Sequence, residues 1–106
     1  MAKYLVHGNY AREGVEGLMK EGGSSRREAI EKLVASLGGT LESMYYAFGD
    51  TDVYVVVDLP DNVSAAAASL TANAAGAVGV SVTVLLTPEE MDEAAKKTPE
   101  YRPPGS

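Results

Sequence analysis

Along Lys3–Tyr10 the residues Tyr4, Val6 and Tyr10 alternate with Leu5, His7 and Asn9, which is the two-residue period of a strand. In Ala11–Lys20 the period changes: Val15, Leu18 and Met19 fall at helical spacing, despite two glycines that lower helix propensity. Gly22-Gly23 breaks this helix. Ser25, with Glu28 three residues on, predicts a capping box for a second helix whose apolar stripe is Ile30, Leu33, Val34 and Leu37. Gly38-Gly39 should end it through a left-handed cap. Thr40–Phe48 and Asp52–Leu59 then read as two strands around Gly49-Asp50, a glycine-first pair suited to a type II′ turn. That turn pairs Phe48 with Thr51, sets Ala47 opposite Asp52, and sets Tyr45 opposite Tyr54. Asp61 can cap an alanine-rich helix through Asn73 that stops at Gly76. Val78–Leu86 is dense in β-branched residues and reads as a fourth strand. Thr87-Pro88-Glu89-Glu90 opens a last helix, and from Thr98 an extended tail is expected.

The order β-α-β-β-α-β is the ferredoxin-like arrangement, an α+β fold with a four-stranded antiparallel sheet, here with an extra C-terminal helix. Right-handed crossovers put strands one and three in the middle, with strand four beside one and strand two beside three. Strand alternation then sorts the faces. Val53, Val55, Val57 and Leu59 are wholly apolar and should meet the helices, together with Met44, Tyr46, Phe48, Val80, Val82, Val84, Tyr4 and Val6. The other face carries Leu5, His7, Asn9, Ser43, Tyr45, Ala47, Asp52, Tyr54, Val56, Ser81, Thr83 and Leu85. This mixture of tyrosines, aliphatics and uncharged polar groups is neither a dry core nor a charged surface, and it has the character of a ligand pocket. Covering it with a second copy would bury roughly 600 Å² of apolar surface per subunit. At ~25 cal/mol/Å² that is on the order of 15 kcal/mol before association costs. A homodimer with facing sheets and a cavity between them is therefore expected.

Composition narrows the function classes. The 106 residues suit one domain with one modest core. A net charge of -6 and a pI near 4.6 disfavour nucleic acid, whose phosphates need a basic stripe, and an anionic membrane surface. No cysteine is present, which removes disulfides, thiolate catalysis and Cys-based zinc sites. The start MAKYLVHGNY has no secretory pattern and no stretch reaches the length of a membrane span, so a soluble cytoplasmic protein is expected. One histidine with scattered carboxylates does not make the ligand set of a zinc or iron site, and a haem held by His7 has no second feature in its support. No cofactor or metal is expected.

His7 lies mid-strand on the uncovered face, where Tyr54 or Asp52 and Ser81 or Thr83 should surround it. Histidine titrates near neutral pH, and beside a carboxylate it can act as a general base, with Asp52 orienting it or taking a substrate proton. The bland alternatives are a histidine satisfied by a tyrosine hydroxyl across a dimer seam and an aspartate that caps the turn. Tyr45 and Tyr54 offer aromatic area and two hydroxyls to a ligand, or simply pack the sheet; Asn9 shares their face. A second candidate is Gly22–Arg27, where Ser24, Arg26 and Arg27 at a helix start could hold a carboxylate or phosphate. It lacks the length, lysine and preceding strand of a P-loop, and its arginines could equally pair with nearby glutamates.

Several short segments together resemble the GYD-domain proteins, small bacterial and archaeal proteins of dimeric α+β-barrel architecture. They are Lys3-Tyr4-Leu5, Asn9-Tyr10, Glu13-Gly14-Val15, Gly22-Gly23-Ser24 through Arg26-Arg27, and Leu37-Gly38-Gly39. Phe48-Gly49-Asp50-Thr51-Asp52, Asp58-Leu59-Pro60-Asp61 and Leu86-Thr87-Pro88-Glu89-Glu90 extend the likeness over nearly the whole chain. The family's naming Tyr-Asp pair reads Thr51-Asp52 here, so this chain departs from the pattern at the tyrosine and keeps Asp52. The resemblance implies one domain over residues 1–106, with 98–106 as tail. The same scaffold hosts monooxygenases, haem-handling proteins and lactone isomerases, so the fold alone selects no chemistry. Two functions follow as expectations. One is a homodimer binding a small organic molecule between its sheets, with cofactor-independent acid/base catalysis by His7 and Asp52. The other is a non-catalytic structural or regulatory homo-oligomer.

Overall fold

A computed structural model describes residues 1–106. Its elements are β1 (Ala2–Tyr10), α1 (Arg12–Glu21), α2 (Gly23–Ser36), β2 (Thr40–Tyr46), β3 (Val53–Leu59), α3 (Asn62–Ala75), β4 (Val78–Leu85) and α4 (Pro88–Lys96). The sheet order is β2-β3-β1-β4, with every pair antiparallel. This is the ferredoxin-like order that the sequence pattern predicts.

The core follows from the period-two pattern of β3. Val53, Val55, Val57 and Leu59 are all buried, and with Tyr4 of β1, Val34 of α2 and Ala65 of α3 they form the hydrophobic centre. Tyr4 keeps its ring inside this layer and donates its hydroxyl to Asn62 Oδ1 at 2.6 Å, at the first residue of α3. The alanines of α3 let that helix approach the sheet closely. At its other end Asn73 fixes the approach, since its Oδ1 accepts from Val80 N at 2.9 Å and its Nδ2 donates to Val80 O at 3.3 Å.

The caps divide into expected and unexpected ones. Asp61 accepts from Ser64 N at 2.8 Å, and Thr87 with Glu90 forms a complete capping box on α4. After α2, Gly38 N donates to Ala35 O and Gly39 N to Val34 O, the paired bonds of a Schellman end around a left-handed Gly38. The predicted Ser25–Glu28 capping box does not form. The helix begins two residues earlier, at Gly23, and has no side-chain cap. Gly22 does the work instead: at φ 87° its N–H closes α1 on Leu18 O while its carbonyl accepts from Arg26 N.

Two further expectations are corrected around the hairpin. Tyr45 does pair with Tyr54, and Ala47 N donates to Asp52 O at 2.8 Å. The strands nevertheless end at Tyr46 and restart at Val53, and Gly49 is not among the glycines with positive φ, as the first position of a type II′ turn requires. The reason lies in β1: Asp52 N is drawn to Gly8 O and Asn9 Oδ1, so the hairpin ladder opens early. Phe48, expected under the helices, is thereby carried off the sheet and is fully exposed. In β2 a bulge between Leu41 and Ser43 also shifts the register. It lets Leu41 and Met44, three apart, both pack against the core.

The chain does not close into a sphere. Every residue from Pro88 onward is exposed, and the extents are 57 × 32 × 23 Å. The radius of gyration is 16.8 Å, against about 13 Å for a compact domain of this length. No helix is long and apolar enough to cross a membrane.

Candidate functional site

α1, α2 and α3 pack on one face of the sheet and α4 projects from it, so the opposite face of β1, β3, β2 and β4 is open, and its side chains can be placed by register. His7 stands opposite Tyr54 of β3 and Ser81 of β4, at the centre. Its ring stacks on Tyr54 with centroids 6.4 Å apart and planes 22° apart, and its Nε2 lies 3.4 Å from Thr83 Oγ1. Tyr45 continues the row across β2 and is 71% exposed, while Tyr54 is 40% exposed. Leu5 and Val56, one register step away, add aliphatic surface. An ion-pair cluster sits at one end. There Lys3 Nζ reaches Glu42 Oε1 at 2.8 Å and Asp58 Oδ1 at 3.0 Å, and these two carboxylates hold the ammonium pKa above its ordinary value.

Asp52 occupies the opposite end. Its Oδ2 accepts from Tyr10 N at 3.0 Å, while its own N–H donates to Asn9 Oδ1 at 2.9 Å and Gly8 O at 3.0 Å. Asp52 and Asn9 therefore clasp the end of β1 to the start of β3. No hydrogen bond or ion pair joins Asp52 to His7, so the structure gathers His7, Tyr54, Tyr45 and Thr83 into one row and sets Asp52 and Asn9 into the backbone beside it. Removing the Asp52 carboxylate leaves the Tyr10 N–H without its partner in a half-buried site. Asp52→Ala should cost about 1–3 kcal/mol, read as a lowered urea midpoint with an unchanged slope. An unchanged midpoint would mean that the clasp contributes nothing.

The second candidate segment divides. Arg27 reaches Glu31 one turn on, with Nε and Oε1 3.9 Å apart. Ser24 lies exposed beside it, on a shallow surface dip shared with Gly23, Met44 and Tyr46. Arg26 turns the other way, under the helices, toward Tyr10. There Tyr10 stacks on Tyr46 with centroids 6.5 Å apart, and the Tyr46 hydroxyl donates to Gly23 O at 3.4 Å. Burial, with Tyr46 alongside, pushes the Tyr10 hydroxyl up to about 12, partly opposed by Arg26. Sequence reasoning gave Tyr10 little weight. The available signal was that Tyr10 and Tyr46 both fall on the helix-facing phase of their strands, next to a glycine pair with room for a ring. No group of three or more histidine or carboxylate side chains converges anywhere in the chain.

The topology and the one-sided helix layer define the class: an α+β protein with a ferredoxin-like sheet and an open face. Within that class the chain belongs to the GYD domain family, whose model matches residues 4–95. Neither the curated proteins nor the solved structures contain a match.

Proposed function

We propose that this protein is a homodimeric binding protein whose two open sheet faces enclose a small organic molecule. The observation that carries the reading is the row of His7, Tyr54, Tyr45 and Thr83, flanked by Leu5 and Val56, on a sheet face that no element of the same chain covers. Its tyrosines have exposed rings for stacking and hydroxyls for hydrogen bonds, the lining of a pocket for a cyclic or carbonyl-bearing molecule. The projecting α4 adds support. A nine-residue helix is too short to hold its shape alone, and Met91 stands 55% exposed on it, so a second copy gives it something to pack on.

Binding is the better-supported half of the reading. With the Asp52 carboxylate on Tyr10 N, proton transfer would fall to His7 alone, and the Thr83 hydroxyl would set which ring nitrogen carries the proton. Native mass spectrometry of the purified full chain tests the proposal. It should show two copies carrying a small-molecule adduct that His7→Ala loses while remaining dimeric. A dimer with no adduct, whose stability collapses in His7→Ala, would make the row a structural seam.

A further inference from the structure

The space between α2, α3 and the sheet is not filled. A cavity of about 70 Å³ remains there, bounded by Ile30 and Leu33 of α2, Ala68 and Ala72 of α3, and Val55 and Val80 of the sheet. Arg26 is its one charged lining residue; Tyr10 and Met44 also contribute, and the remaining lining is aliphatic. A buried water needs two to four polar partners, which such walls do not offer away from Arg26 and Tyr10, so most of this space favours an apolar occupant. The small residues of α3 maintain the void: alanine at 68 and 72 leaves open what larger side chains would fill.

Arg26 is the second, independent observation. It is only partly exposed, and it makes none of the chain's ion pairs, whereas Arg12 and Arg27 each meet a glutamate one turn on. A guanidinium drawn toward an apolar cavity without an anion lacks the partner that would offset its partial desolvation. The neighbouring Tyr10 hydroxyl, pushed up to about 12, keeps its proton at neutral pH; it is hydrogen-bonded with Tyr46 and Arg26, and donates elsewhere by turning from Tyr46. Arg26 and Tyr10 thus adjoin at the one polar edge of the cavity, and the guanidinium's remaining N–H groups with that hydroxyl match the two oxygens of a carboxylate.

We propose that the cavity is a binding site for a short aliphatic carboxylate, with its hydrocarbon end among the α3 alanines and sheet valines and its carboxylate on Arg26 and Tyr10. The volume sets the size: an apolar cavity of about 150 Å³ takes the six carbons of benzene, so this one, at about 70 Å³, takes a tail of about three carbons. The site lies on the opposite side of the sheet from His7 and does not depend on the dimer.

Titration calorimetry of the full chain with butyrate, and with butyramide as its neutral isostere, tests the proposal. Butyrate should bind at least about tenfold tighter than the amide, and Arg26→Gln should abolish that margin. Ala72→Leu, or Ala68→Val if the former does not fold, should fill the cavity and weaken butyrate by about tenfold or more while thermal stability holds. His7→Ala should leave the affinity unchanged, which separates this site from the open face. Equal binding of acid and amide, an unaffected affinity in the cavity-filled variant, or no heat at millimolar butyrate would overturn the assignment.

Discussion

Replacing Tyr4 with alanine should bring this protein close to unfolding. Tyr4 is 1% exposed and has the largest of the fully buried side chains, in a core of only seven buried hydrophobic residues. Truncating a buried aromatic ring in such a layer costs about 3–5 kcal/mol through lost transfer energy and the cavity left behind. Small domains have about 5–15 kcal/mol in total, so this one change removes a large share. Tyr4→Phe separates the ring from its hydroxyl. It loses only the 2.6 Å bond to Asn62, at about 1 kcal/mol, because Asn62 can turn to water. Urea titration of both variants should give a large fall in midpoint for the alanine and a small one for the phenylalanine. Similar falls would place the energy in the Asn62 bond and its hold on α3, and not in packing.

The second large effect is on self-association. Tyr54 sits at the centre of the open face, stacked on His7, yet 40% exposed within one chain. Tyr54→Arg should therefore leave the monomer's fold intact. Across a sheet-to-sheet seam the same change would bury a guanidinium without a carboxylate, since Asp58 and Glu42 are held by Lys3 and Asp52 by Tyr10 N. An unpaired charge there costs about 3 kcal/mol or more, or roughly a hundredfold in dimer dissociation constant. Circular dichroism should be unchanged while sedimentation shifts toward monomer. If sedimentation does not change, the seam lies elsewhere on the molecule.

What the sequence conveyed follows from which interactions are local. Alternation in β3 and the helical stripe of α2 fix element type and facing, so the sheet order and most of the core were legible. Asp61 and Thr87 act within three residues of themselves, and both caps were found. One miss is local, the Ser25–Glu28 box that the earlier start of α2 at Gly23 displaces; the more consequential ones involve partners distant in sequence. Asp52 is turned from a candidate base into a clasp by Tyr10, Asn9 and Gly8, over forty positions earlier, and that same pull opens the hairpin and strands Phe48 in solvent. The bulge in β2 had a readable trace, because Leu41 and Met44 cannot both face a core in strict alternation. Ser24, Arg26 and Arg27 read as one site in the sequence, but a helix sends positions one and two apart in different directions: Ser24 and Arg27, three apart, share the outer face, and only Arg26 turns inward.

Sedimentation equilibrium of the unmodified full chain across micromolar concentrations tests the central claim most directly. The account predicts the mass of two chains, with a thermal midpoint that rises with protein concentration because only the folded dimer gains from association. A monomer of 11.1 kDa throughout, with a concentration-independent midpoint, would contradict it.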